Sequence, residues 1–406
     1  MALCKMAMVP EPLPSLLLKM SQDAAPLVLV NGSDRIRAGF SGDSAPRAVF
    51  PSVVGYPKLK SSGQKDHYVG DEAMAKRGRL RMSYPIDDCL VKNWDDMEKI
   101  WHHTFYNELR TAPEDHAVLV TERPRNPKAN RERTTEIMFE TFFVPAFYLS
   151  ADANLSLYAS GRTTGVVLDC GFQSSRANAF YEGYLIPHAT SLPAIGGLGL
   201  TMLMKKLLTE SGYSFTTSAD SRIVSDIKEK LGYVALDYEA ELRKSQNSSD
   251  CDGKYELPDG QVMKVGVQRF RCAEALFDPS LAGGKGHRLS RGIHKAVHQT
   301  ITKCDVDVRT KMYSNIILSG GSSLFPGIKE RLTKELSSLV SPKVKKKTKT
   351  KRASTTAVEV VATPERKFST WIGGSILTSL STFGCMWVTK KEYENSGPGI
   401  IHRKCF

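Results

Sequence analysis

The chain has 406 residues, more than one hydrophobic core usually serves, so two lobes with separate buried centres are expected. Hydrophobic residues make up 41% and charged residues 24%, which excludes a disordered chain, and no window nears the roughly 18 uninterrupted apolar residues of a membrane span. The net charge of +13 is concentrated: seven bases between Lys343 and Arg352 carry more than half of it, and the remaining +6 makes the body only mildly basic.

In chain order, residues 1–25 hold Pro10, Pro12 and Pro14 without sustained periodicity and read as a mobile arm. Leu27 to Val30 reads as a strand that turns at Asn31-Gly32-Ser33-Asp34 and returns through Ile36, Ala38 and Phe40 as a hairpin. Apolar residues at helical spacing predict helices over Asp95–Leu109 and Lys128–Phe143. The hairpin grammar recurs at Val166-Val167-Leu168-Asp169, where Cys170-Gly171-Phe172-Gln173 forms the turn and a second strand ends near Tyr181. Two such units predict a duplicated α/β architecture. Pro193 to Gly197 precedes a helical stretch, Leu200–Leu208, and Ile316-Ile317-Leu318 runs through Ser319-Gly320-Gly321-Ser322-Ser323 toward a helix near Gly327. Glycines at a strand-to-helix turn expose backbone N–H groups that suit a phosphate, although tight packing explains such glycines as well. The eight cysteines are scattered without a CxxC pair, which reads as reduced thiols in the cytosol or nucleus.

Longer runs carry a resemblance. Ala38-Gly39-Phe40 with Ala45-Pro46-Arg47-Ala48-Val49-Phe50-Pro51, Asn93-Trp94-Asp95-Asp96-Met97-Glu98-Lys99-Ile100-Trp101, Asn126-Pro127-Lys128-Ala129-Asn130-Arg131, Leu157 to Gly165, and Trp371-Ile372-Gly373-Gly374-Ser375-Ile376-Leu377 closely resemble actin, from about residue 26 to the last residue. The resemblance implies an actin-type α/β fold, of the actin, hexokinase and heat-shock-ATPase kind: two duplicated lobes flanking a cleft for ATP or ADP. Its divisions here would be an arm (1–25), a first lobe (26–160), a second lobe (161–368) with a basic insert (341–357), and a return to the first lobe (369–406).

Position by position, the resemblance also implies an altered site. The acid that precedes Asn-Gly-Ser-Gly in actins is matched by Val30. Asn31, Gly32 and Ser33 remain, the next glycine becomes Asp34, and a phosphate-reaching lysine becomes Arg37. Actins read Asp-Ser-Gly-Asp-Gly at the second hairpin, where this chain reads Asp169-Cys170-Gly171-Phe172-Gln173. The water-orienting glutamine matches Asp152 and the nearby histidine matches Arg176. Asp169 is left as a weak, water-mediated anchor for Mg²⁺. In-line hydrolysis depends on positioning and charge, so nucleotide binding without efficient turnover is the leading expectation. A rewired site, with Asp152 as metal ligand and Arg176 on the γ-phosphate, is the alternative. Lys228 and Glu229 match residues at the adenosine; Gly197, Gly320, Gly321 and Lys367 match others nearby.

For partners, the segment Gly55 to Gln64 is shorter than the actin insertion loop and lacks its apolar centre, and Leu281 to Arg288 is a more polar version of a second assembly contact. Weak self-assembly is expected. Tyr158, Gly161, Thr163, Ile372, Ile376, Leu380 and Met386 match the groove that actins offer to binding proteins, for an amphipathic helix. Lys343 to Arg352 reads as a solvated loop, with an import receptor or an acidic partner as alternatives. The leading expectation is a cytoplasmic, cytoskeletal interaction or regulatory subunit. A filament-forming ATPase and a nuclear chromatin subunit stand as the alternatives.

Overall fold

Leu27, Val28, Leu29 and Val30 form an unbroken apolar run, and a run apolar on both faces belongs in the middle of a covered sheet. A computed structural model describes residues 24–59, 63–191, 194–283, 291–340 and 357–405. The basic run, nearly all of the expected arm and most of the polar segment after Leu281 fall outside these residues. The strand Leu27–Asn31 pairs antiparallel with Arg35–Phe40 on one side and parallel with Val118–Glu122 on the other. Ala48–Pro51 lies outside the hairpin, Ala146–Ala151 continues the parallel side, and Val388–Thr389 adds an antiparallel edge.

The second sheet repeats this order. Gly165–Cys170 pairs antiparallel with Ser174–Tyr181 and parallel with Ile316–Ser319, flanked by Tyr184–Thr190 and Val360–Val361. The expected duplication is therefore a duplication of topology, and the α/β fold is of the actin type. Each sheet has its own core. Val28, Trp101, Phe147 and Trp371 centre the first, and Val166, Leu168, Leu200 and Met204 the second. Trp371, far along the chain, donates its indole N–H to Val28 O at 3.0 Å.

Helices differ from expectation at their ends. The first runs as an α-helix over Trp94–His102, capped by Asn93, and loosens into a π-helical stretch, His103–Leu109. The next is α over Lys128–Glu136 and π over Ile137–Thr141, stopping short of Phe143. Periodicity reports which face is apolar and does not separate 3.6 residues per turn from a wider turn. The helix expected at Leu200 begins at Gly197 and runs to Glu210, and that expected near Gly327 spans Ile328–Val340. Where the helix Ser369–Ser379 crosses Asp152–Ala159, a Cβ on Gly373 would lie 1.8 Å from Leu155 O. Among the described residues no helix is long and apolar enough to cross a membrane, and the described cysteines are free thiols.

Candidate functional site

The hairpin registers place two arginines at equivalent positions. Val30 lies opposite Arg37 in the first hairpin, and Asp169 opposite Arg176 in the second. Both guanidinium groups thus stand one residue in from a turn, on matching faces of the two repeats. Val30 itself is buried in the first core, so the position where an acid is expected in this family is apolar and dry.

In the first turn, Asn31 is committed to the core. Its N–H donates to Thr121 Oγ1 at 3.1 Å, and its side-chain oxygen accepts from Trp101 Nε1 at 3.2 Å. Ser33 is buried and its hydroxyl accepts from Cys89 N–H at 3.2 Å. Gly32 joins them at the turn. Asp34 points outward: its side chain is 53% exposed and lies 3.6 Å from Arg35 Nε, rather than facing inward. Arg37 is partly buried with Nε unpartnered, 6.0 Å from the Phe368 ring. Burial lowers its pKa, against the pull of Asp169 and Asp34. Lys367 stands 5.8 Å from that same ring.

Beside the second turn, the leading amides of the helix Gly197–Glu210 are spent on the turn's carbonyls. Gly197 N–H donates to Gly171 O at 3.0 Å, Leu198 N–H to Phe172 O at 2.6 Å, and the Ser322 hydroxyl to Gly171 O at 3.1 Å. Gly320 N–H is likewise taken, by Arg366 O at 3.1 Å, and Gly320 sits at φ 85° where a Cβ would meet Cys170 O at 2.4 Å. Only a glycine passes there. Gly321, by contrast, borders open space. The glycines expected as phosphate cradles are thus divided between packing and access.

Lys228 and Glu229 differ in burial. Lys228 is only 5% exposed and donates to Gly197 O at 3.2 Å and Thr201 Oγ1 at 2.9 Å, with its pKa lowered by burial. Glu229 is exposed and accepts from the Ser225 hydroxyl at 3.0 Å on its own helix. Successive residues on a helix point about 100° apart, so neighbours can differ in this way.

Asp152 opens the helix Asp152–Ala159, and its carboxyl accepts from Ala153 N–H at 2.6 Å. Burial and then the charge of Asp169 push it up to about 8. Burial also raises Asp169, against Arg37, the Ser319 hydroxyl and Arg176. An unfolded aspartate titrates near ~3.9, so the folded state holds the extra proton between that value and about 8. Stability attributable to Asp152 is full below the lower value and declines as pH rises to the upper one. Asp152→Asn is expected to flatten this decline in denaturation midpoints taken from pH 5 to 9. Parallel wild-type and variant curves would exclude a neutral Asp152.

Sequence reasoning missed the residues that tie the site together. The turn between the short strands Ile86–Asp87 and Leu90–Val91 reaches across to the second hairpin. The Asp88 carboxylate accepts from Arg176 Nη2, from Arg123 Nη1 at 3.0 Å and from the Ser174 hydroxyl at 2.8 Å. Asp88 N–H donates to Gln173 Oε1, and Gln173 Nε2 donates to Asp87 at 2.9 Å. Cys89, bonded to Ser33, links this turn to the first hairpin; burial and then Asp152 and Asp169 push its thiol up to about 12.

Burial raises the pKa of both cleft carboxylates, Asp152 and Asp169, and among the described residues no group of three or more His, Cys, Asp or Glu is placed to hold a metal directly. The surroundings suit anions: Arg123 and Arg176 meet at Asp88, and Arg37 and Arg176 both lower the pKa of Asp169. Outside the cleft, Ile376 and Leu380 are 44% and 50% exposed. Tyr158, Ile372 and Met386 pack partly buried against the first core beside them, and Gly161 and Thr163 are exposed. The duplicated sheets, the paired hairpins and the return of Trp371 to the first strand agree with the Actin family model, which matches residues 21–406. The chain is therefore a member of the actin family.

Proposed function

We propose that this protein binds ATP or ADP in the cleft without efficient hydrolysis and acts as an interaction or regulatory subunit with actin or actin-binding proteins, in the cytoplasm and cytoskeleton. Actin-family proteins generally bind nucleotide, and the observation that carries the reading is the pair Arg37 and Arg176, opposite Val30 and Asp169 in equivalent hairpins. Guanidinium groups offer phosphate oxygens charge-assisted, two-pronged hydrogen bonds, so positive charge that a metal would bring is already present in the chain. Catalysis fares worse. Where the resemblance implies a water-orienting glutamine, Asp152 has one carboxyl oxygen engaged by Ala153 N–H and a pKa raised by burial, which makes it a poorer group for positioning a water. For partners, Ile376 and Leu380 offer two apolar anchors at the spacing of one helical turn.

The test is nucleotide titration in EDTA and in Mg²⁺, with phosphate release followed in parallel. ATP and ADP are expected to bind with affinities that change less than about threefold on metal removal, and phosphate release is expected at least ~100-fold below an actin control. A Mg²⁺-dependent burst of phosphate would overturn the reading. An Ile376→Asp/Leu380→Asp variant should keep nucleotide and lose co-sedimentation with actin or capture of actin-binding proteins. Unchanged capture would remove the groove from the proposal.

A further inference from the structure

Arg123 and Arg176 each present a buried Nε without a partner, although both guanidinium groups already bond to Asp88. A carboxylate has two oxygens, and here both are used: Oδ2 by the two arginines and Oδ1 by Ser174. Those three bonds take most of the roughly four lone-pair sites of the carboxylate, and the two Nε–H donors remain unserved. A tetrahedral oxyanion, with three or four oxygens, would satisfy them more fully.

We infer that Arg123, Arg176 and Ser174 form an oxyanion site for a phosphoryl group, which Asp88 occupies as an internal ligand that phosphate must displace. The site is assembled from two places in the chain: Arg123 just after the strand Val118–Glu122, and Ser174 and Arg176 on the returning strand of the second hairpin. Asp88 comes from a third, the 86–91 turn. Its side chain is 38% exposed, so it closes the site from the solvent side and can swing out without disturbing either core. Burial pulls its carboxyl upward in pKa, but bonds from Arg176 and Ser174 hold it below the ordinary value, so it stays charged and competes at neutral pH. Arg123 also donates to Asp88 O at 3.1 Å, which keeps that guanidinium in place when the carboxylate leaves.

The site itself stands independently of nucleotide binding; only the identification of its ligand as the terminal phosphate of ATP rests on the proposed function. The experiment is calorimetric titration of the full chain with inorganic phosphate, ATP and ADP, all in EDTA, for wild type, Asp88→Ala and Asp88→Asn. Inorganic phosphate is expected to bind at least tenfold more tightly to Asp88→Ala than to wild type, with a smaller gain for Asp88→Asn, and adding Arg176→Ala should abolish the gain. A larger gain for ATP than for ADP places the terminal phosphate in the site. A gain for inorganic phosphate with no binding of either nucleotide keeps the oxyanion site and removes the nucleotide reading. Unchanged phosphate affinity in either folded single variant overturns the inference. If Asp88→Ala fails to fold, Asp88→Asn decides, because it keeps the shape and the Ser174 bond while losing the charge.

Discussion

Gly373→Ala is expected to be the most damaging single methyl that can be added to this protein. The new Cβ would meet Leu155 O at 1.8 Å, Leu155 C at 2.5 Å and Leu155 Cα at 3.0 Å. All three are backbone, so no rotamer relieves the clash, and the helices Asp152–Ala159 and Ser369–Ser379 must move apart. That separation pulls on Trp371, bonded to Val28 O, and on the hydroxyl chain from Thr370 through Ser156 to Ser319 at 2.9 and 3.0 Å. A cost of about 3 kcal/mol or more follows, against a total stability of only ~5–15 kcal/mol. A thermal melt should show a fall of at least ~3 °C, or no soluble protein. Two neighbours calibrate the result. Gly374→Ala meets a side-chain tip, Val28 Cγ1, at 2.7 Å and should cost less, and Gly384→Ala meets nothing within 4 Å and should be neutral. Equal melts for the Gly373 and Gly384 variants would disprove the close approach.

The second large effect concerns Arg331, which is 8% exposed in the second core. Its two terminal nitrogens bind Glu274 at 2.9 and 3.1 Å, Nε binds Glu335 at 2.7 Å, and the group lies 4.9 Å over Phe277. Glu274 is 5% exposed, and burial already raises its pKa against the bonds from Arg331. Arg331→Met strands that carboxylate, and the expected loss is ~3–5 kcal/mol. The sign of its pH dependence is set by the stranded acid: a proton on Glu274 removes the buried charge, so the loss should be smaller at pH 5 than at pH 8. Adding Glu274→Leu should recover most of the stability, since replacing both partners removes the unpaired charge. Denaturant midpoints for the single and double variants decide it, and a double variant no better than Arg331→Met would show that the pair was not the source.

What could be read from the sequence was what is local. Both hairpin turns are visible because turn chemistry and strand alternation span only a few residues, and that Val30 and Phe172 stand where acids are expected is what the resemblance implies. The clasp at Asp88 was invisible. Its partners Arg123 and Arg176 lie 35 and 88 residues away, and nothing in the spacing distinguishes Asp87-Asp88 from an ordinary polar turn. The adjacent Asn93-Trp94-Asp95 run was the nearest signal that this turn was special. Lys228 and Glu229 illustrate a different limit: the resemblance places both at the adenosine, and only the folded helix shows that one is buried and the other exposed. The helix at Gly197 shows a third, because only the folded register reveals that its leading amides are already bonded to Gly171 and Phe172.

The return of Trp371 to Val28 has a further consequence during synthesis. The second sheet is contiguous, from Gly165 to Val361, and every strand it needs has been made once Val361 is translated. The first sheet begins earlier but waits for its last pieces: Trp371, 343 residues beyond Val28, and the edge strand Val388–Thr389. At ~5–20 residues per second the ribosome takes roughly 20–70 s to cover that distance. For that interval the nascent chain carries Val28, joined later by Leu119, without the Trp371 helix that covers them, an exposed apolar surface of the kind that aggregates or recruits a holding chaperone. The part of the chain made first is thus completed last, so a ribosome stalled between Val361 and Trp371 would display a finished second lobe beside an unfinished first one.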